Sequence, residues 1–365
     1  MLPIKSLSVL IALTFVAACA EENHPQSPDA RVDVRGVVEA STHEASMDGL
    51  TDIPTDLPVD LSVDQRAVSG PFTFFLFGDT RTNVDVLKQN IASMVALDPQ
   101  AIGIFNGGDL TDKGTAVEWT THHQMLEEGG QGLVRPELAD WTPGKLRYVG
   151  VLGNHETYND DWYANWNAFL PGQAALGANS PEGIYFTLRY RNTLFVVLDS
   201  VHPSVEQDEW FEDVLVNRDA SVRWTLVLFH YPIYPCNHKD PWAEGIPWAR
   251  LMEQHNVDLA VVAHSHTYER TCPMVGGKCQ EGGVIYLNTS AGAAPKREVV
   301  ADRAATVGTD SYHCAPQDGE PGILDKGIGE WWHYCHVEVA DEQLTLRCLS
   351  HDSITDERDR LVLTK

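Results

Sequence analysis

Two histidines close an apolar run in "VVAHSHTYER", Val261 to Arg270. An extended segment returns side chains to one face every second residue, so His264 and His266 are expected to face one site while Ser265 points away. Four more residues with the same kind of chemistry end apolar runs elsewhere: Asp79, Asp109, Asn154 and His230. Together they offer mixed oxygen and nitrogen ligands, the set suited to Zn, Fe or Mn. Two such cations sharing one carboxylate hold both the attacking and the leaving oxygen of an in-line phosphoryl displacement.

These residues must be carried by a sheet. From Phe72 onward apolar runs alternate with polar turns and amphipathic segments, the pattern of strands with helical crossovers. "FTFFLF" leads into "GDT", "AIGIF" into "NGGD", "LRYVGVL" into "GNHE", "VRWTLVLF" into His230, and "VDLAVVA" into the histidine pair. In open α/β sheets ligands bind at the carboxyl ends of the strands. "NVDVLKQNIASMVAL" and "AVEWTTHHQML" have the periodicity of helices, while "EGGVIYLNTS" and a C-terminal pair of strands predict a second, more antiparallel sheet. No internal repeat is present. Glu156 is read either as a residue that orients His155 or, preferably, as a cap of the helix expected over "TYNDDWYANW". The segment after His230 brings Tyr231, Tyr234, His238, Lys239 and Trp242 toward the site, chiefly as packing for a proline-rich loop, with stacking of the aromatics on a nucleobase or aryl leaving group as the alternative; Tyr268 and Arg270 are expected to support His266, with direct contact to substrate as the lesser reading.

"GDT" at 78–80, "GGD" at 107–109, "GNHE" at 153–156, "FH" at 229–230 and "AHSH" at 263–266 resemble, in order, the motif blocks of the calcineurin-like metallophosphoesterases. The longer "HSHTYER" resembles the last block of the purple acid phosphatase branch. The resemblance implies a four-layer α/β/β/α sandwich with two mixed β-sheets and a dinuclear site at the strand carboxyl ends. It also implies a first metal on Asp79, Asp109 and His266 and a second on Asp109, Asn154, His230 and His264, with Asp109 bridging. The metals would come from Fe, Zn and Mn. Two departures stand out. Many members place histidine two residues after the first aspartate, where this chain has Arg81; the purple branch places a metal-binding tyrosine three residues after the bridging aspartate, where it has Asp112. Either Asp112 supplies the missing oxygen donor or the first site is short of a ligand. Arg81 is read as an ion-pair partner of Asp109 or Asp112, or as a donor to a phosphoryl oxygen. His155 resembles the family's histidine near the leaving group, and the implied mechanism is attack on phosphorus by a metal-bound hydroxide with His155 assisting departure.

The chain of 365 residues, 43% hydrophobic, has room for a large core. "MLPIKSLSVLIALTFVAACA" has a basic start, a short apolar run and small residues, the layout of an export signal. Its "VAAC" resembles the lipobox of bacterial lipoproteins, which makes Cys19 the lipidated residue, with the outer membrane as the expected address and the domain facing the periplasm or the cell surface. Residues 20–69 read as a polar, acidic tether and 70–365 as the metallophosphoesterase domain. The other cysteines, Cys236, Cys272, Cys279, Cys314, Cys335 and Cys348, are disulfide candidates in an exported chain; Cys272 with Cys279 and Cys335 with Cys348 are the easiest pairs to close. A net charge of -26 argues against nucleic acid as a partner and leaves the lipid anchor as the membrane contact. A small anionic phosphate ester held at a cationic centre remains compatible with it. The expected function is hydrolysis of phosphomonoesters or small phosphodiesters. Its alternatives are a binuclear hydrolase of carboxylic esters or amides, and a non-catalytic binding or adhesion lipoprotein on the same fold.

Overall fold

In "FTFFLF", Phe72–Phe77, alternate side chains enter two different cores. Phe74 and Leu76 pack between two sheets, whereas Phe75 and Phe77 pack under helices, so the strand is buried on both faces and reads as a continuous apolar run. The computed structural model describes residues 70–174, 183–317, 319 and 321–365. The lipidation site Cys19 and the tether over 20–69 lie outside these residues.

Two seven-stranded sheets form the inner layers. The first runs in the order Glu357–Thr364, Gln343–Ser350, His333–Val339, Phe72–Phe77, Gly103–Asn106, Leu146–Gly150 and Val134–Arg135. The second runs Leu324–Ile328, Tyr268–Thr271, Ile285–Thr289, Leu259–Val262, Trp224–Leu228, Thr193–Val197 and Phe186–Tyr190. Both are mixed. Phe72–Phe77 pairs parallel with Gly103–Asn106 and antiparallel with His333–Val339, and Ile285–Thr289 pairs parallel with Leu259–Val262 and antiparallel with Tyr268–Thr271.

The helices Val84–Leu97, Ala116–Gly130 and Trp162–Phe169 cover the outer face of the first sheet through Leu87, Ile91, Trp119 and Trp166. Val205–Val216 and Ile246–Gln254 cover the second through Phe211, Leu215, Trp248 and Met252. The result is the four-layer α/β/β/α sandwich. Ala116–Gly130 begins at a reciprocal cap in which the Thr115 side chain accepts from Glu118 N and Glu118 accepts from Thr115 N.

The division of strands differs from the expectation. The strands that end in site residues do not share one sheet: those ending near Asp79, Asp109 and Asn154 lie in the first, and those ending near His230 and His264 in the second. The C-terminal strands extend the first sheet instead of founding the second, because the apolar side of His333–Val339 continues the inter-sheet core beside Phe74 and Leu76. Disulfides join Cys272 to Cys279, Cys335 to Cys348 across neighbouring strands, and Cys236 to Cys314.

Candidate metal centre

Asp79, Asp109, His264 and His266 all have left-handed backbone, with φ of 50°, 55°, 70° and 58°. The extended-strand reading of the histidine pair is therefore corrected. The strand ends at Val262, and a tight turn in which Ser265 N donates to Ala263 O (2.8 Å) swings both rings toward the sheets' carboxyl ends. Such backbone is uncommon outside glycine and gathers at functional sites. Here it is fixed by bonds between the loops: His264 N donates to Asp79 Oδ2 (2.7 Å), Asp79 N to Gly108 O (2.9 Å), and Thr80 N to Asp109 O (2.9 Å). The motif glycines allow the approach. A Cβ on Gly108 would lie 2.5 Å from His230 Nδ1, and one on Gly153 would lie 2.3 Å from Asp109 N.

The side chains converge as two groups that share one carboxylate: Asp79, Asp109 and His266, and Asp109, His230 and His264, each with donor atoms within 4.8 Å of one another. His266 Nε2 lies 3.3 Å from Asp79 Oδ1, His230 Nε2 lies 3.3 Å from Asp109 Oδ1, and His264 Nδ1 lies 3.2 Å from His230 Nε2. Asn154 joins the second group, with Oδ1 3.2 Å from His230 Nε2 and its amide donating to Tyr158 Oη at 2.5 Å.

Backbone carbonyls orient the rings. His230 Nδ1 is 2.9 Å from Gly107 O and His266 Nδ1 is 2.8 Å from Pro295 O, so each donates there and turns the Nε2 lone pair toward the carboxylates. Asp79 Oδ1 and Asp109 Oδ2 are buried without a hydrogen-bond partner. Lone pairs of imidazole and carboxylate facing one another in a buried site require a cation between them. The donor set fits metal ions.

Without metal, protons carry that charge. Burial alone would push the His230 imidazolium down, but Asp109 outweighs it and raises the ring to about 9. Burial pushes Asp109 up, and the charges of His230, His155 and His264 overcome it, leaving the carboxyl well below its usual range. His264 is held well below the ordinary imidazole value by burial and by its neighbour His230.

Glu156 is not a helix cap. It is buried, and its carboxylate accepts from Asp109 N and Gly153 N (both 3.0 Å), Thr111 N (2.9 Å) and Thr111 Oγ1 (3.1 Å). It ties the loop of the shared aspartate to the loop bearing Asn154 and His155. The carboxylate of Asp112 does not join either ligand group; it pairs with Arg81 Nη1 at 2.6 Å. Arg81 is the ion-pair partner expected, with Nε also 3.5 Å from Asp109 Oδ2, and its Nη2 lies 3.4 Å from His266 Nε2. His155 Nδ1 donates to Asp112 O at 2.7 Å, and Nε2 lies 3.7 Å from Asp109 Oδ2. Tyr268 and Arg270 do not support His266: their Oη and Nε atoms bind Asp359 Oδ2, at 2.6 Å and 2.7 Å, tying the two sheets together.

Two contributors escaped the sequence reading. Tyr158 holds Asn154 and packs on the His155 ring at 4.7 Å. Ser200 Oγ accepts from His230 N (3.1 Å) and Tyr231 N (3.0 Å). Ser200 carried a usable signal, since the strand Thr193–Val197 also ends in a polar pair, Asp199-Ser200.

The calcineurin-like phosphoesterase model matches residues 72–268. Purple acid phosphatase 21 of Arabidopsis thaliana is 26% identical over 244 residues, covering 61% of this chain and 53% of that protein. Probable inactive purple acid phosphatase 1 of the same plant is 23% identical over 225 residues, covering 54% and 33%. The chain spans about half the length of the former and a third of the latter. The solved purple acid phosphatase PPD1 from yellow lupin superposes with a TM-score of 0.59 at 15% identity, over 81% of this chain and 54% of that one, a likeness of fold. With the family's motif residues gathered at one buried centre and more than half the chain matched, this protein belongs to the calcineurin-like phosphoesterase family.

Proposed function

We propose that the chain is a metal-dependent phosphohydrolase acting on phosphomonoesters or small phosphodiesters. The observation that carries this reading is the pair of donor groups sharing Asp109, with unpartnered oxygens on Asp79 and Asp109. Asp79, Asp109 and His266 would hold one ion, and Asp109, Asn154, His230 and His264 the other. When bound, the two ions supply Lewis acidity at a phosphoryl oxygen and an activated water. Within the protein, Asp109 fixes the spacing of the two groups. Arg81, restrained by Asp112, presents donors beside the shared carboxylate and meets a phosphoryl oxygen there. His155 donates Nδ1–H to Asp112 O, which leaves Nε2 toward the site as the atom that carries a proton to a departing alkoxide.

A non-catalytic binding role is the second reading. It is favoured by the Arg81 guanidinium, which stands within 3.5 Å of Asp109 where many relatives by motif place another ligand. Assay of the metal-loaded protein on 4-nitrophenyl phosphate, bis(4-nitrophenyl) phosphate and 4-nitrophenyl acetate separates the readings. Turnover of a phosphate ester that Asp109→Asn abolishes supports the first; turnover of the acetate alone, or of none, overturns it. We also propose that the chain is an exported bacterial lipoprotein anchored at the outer membrane through Cys19. The three disulfides suit an oxidising compartment. Loss of fatty-acid labelling in Cys19→Ala is the expected result, and retained labelling refutes the anchor.

A further inference from the structure

Among the described residues, two cations beside the metal centre, Lys239 and Arg297, make no side-chain ion pair. Lys239 lies in the loop after His230, and Arg297 follows Pro295, whose carbonyl orients His266. Both backbones are pinned to the histidine turn. Lys239 N donates to Asn237 Oδ1 (2.7 Å), and the buried Asn237 amide reaches Ser265 O (3.4 Å) and Thr267 Oγ1 (3.2 Å). The neighbouring Cys236 is bridged to Cys314, and Arg303 binds Asn237 O. Arg297 N donates to His266 O at 3.1 Å. The loop is thus a fixed mount for its lysine.

The Lys239 ammonium lies close enough to Arg297, Asp79, Asp109 and Arg81 for their charges to act on it. Each of these residues lies in or beside the centre. Among the described residues neither the Lys239 nor the Arg297 side chain has an ion-pair or hydrogen-bond partner, in a chain with 52 acidic and 26 basic residues.

Charge balance then specifies what is missing. Asp79, Asp109 and a deprotonated water offset three of the four charges of two divalent ions, and a phosphomonoester dianion brings one negative charge more than the remainder, which still leaves at least one of the two cations unmatched. Arg81 is matched by Asp112. That leaves Lys239 and Arg297 to share at most one negative charge. We propose that they form a subsite for a second anionic group, so that the preferred substrates are phosphate esters or anhydrides carrying a further phosphoryl or carboxylate charge beyond the group that is cleaved. This deepens the phosphohydrolase reading and rests on it for the word substrate, but not for the binding itself.

The test is equilibrium binding by calorimetry, on the metal-loaded full chain, of methylphosphonate and of methylenediphosphonate, neither of which is hydrolysed. Metal content is measured after each titration so that chelation is seen. A charge-assisted contact predicts that the protein binds the diphosphonate roughly tenfold or more tightly than the monophosphonate. Lys239→Gln and Arg297→Gln should each shrink that ratio and their combination should remove it, whereas Lys239→Arg with Arg297→Lys should keep most of it. Equal binding of the two probes by the unsubstituted protein overturns the proposal without any variant. So does a double variant that weakens both probes by one factor, which would assign the cations to the cleaved group. A protein that shows the binding preference yet turns over no phosphate ester sinks the catalytic reading and leaves the subsite standing.

Discussion

Glu156→Gln isolates the residue that the sequence misassigned. The carboxylate serves donors on both oxygens: Asp109 N and Gly153 N on one, Thr111 N and Thr111 Oγ1 on the other. An amide fits neither way. Turned toward Asp109 and Gly153, its NH2 opposes two backbone N–H groups; turned the other way it opposes Thr111 N, although the Thr111 hydroxyl can rotate. Each stranded donor costs about 1 to 3 kcal/mol, and removing a buried charge returns part of that, so a net loss of roughly 3 kcal/mol is expected. For a domain of this size that lowers the melting temperature by about 5 °C. Burial and the Asp109 charge raise Glu156 to about 8 in the metal-free protein, where an amide is a fair substitute for a protonated carboxyl. Cations at the adjacent groups neutralise Asp109 and favour the ionised form. The destabilisation should therefore be larger with metal than without, and metal affinity should fall. Calorimetric melting of both proteins, with metal and after chelation, reads this directly. Equal melting shifts in the two states, with unchanged metal affinity, would refute the claim that Glu156 positions the shared aspartate.

Asp109→Asn should lose more metal than Asp112→Asn, because Asp109 belongs to both donor groups and Asp112 pairs with Arg81; metal counting on the purified variants checks the order. The His230 proton, held to about 9, must leave before the ring can bind a cation, so metal affinity should rise by about tenfold per pH unit from about pH 6 to about pH 8, measured by competition with a chromophoric chelator. His155→Ala should keep its metal and lose roughly 10²- to 10⁴-fold in rate on an alkyl phosphate but less on a nitrophenyl phosphate, the pattern of leaving-group assistance; an equal loss on both assigns it to electrostatic stabilisation instead. His264→Ala should lose metal and both activities together.

The five strand-end motifs were legible because each combines two strong signals: an apolar run dense enough to be buried on both faces, and a chemically distinctive residue where it stops. The division of those strands between two sheets was not, since burial on both faces looks alike in either sheet and pairing is decided by long-range packing. Glu156 failed for a different reason. In one dimension it precedes a polar segment as a capping residue does, whereas its partners are backbone N–H groups up to 47 positions away in sequence. Backbone donors leave no trace in residue type. Tyr268 and Arg270 show the converse, proximity in sequence to His266 with partners on the far strand Glu357–Thr364.

The left-handed backbone of four ligand residues explains why the centre sits beyond the strands instead of on them. A pleated strand sends alternate side chains to opposite faces, here into two filled cores, so no residue within the strands can face solvent and a neighbouring sheet's ligands at once. A single left-handed residue reverses the chain just past the last ladder bond and aims its side chain along the sheet edge. Each such residue costs on the order of 1 kcal/mol when it is not glycine, and four of them amount to a sizeable fraction of a domain's net stability. Glycine would relieve the strain but carries no ligand. The loops resolve the conflict by placing glycine next to each strained aspartate, at Gly78 and Gly108, and by bonding Asp79, Thr80 and His264 to one another's loops. Gly78 and Gly107 also meet at Ala263, whose Cβ lies 2.9 Å from where either would carry its own, so a larger residue at any of these positions would part the two sheets' ligand loops.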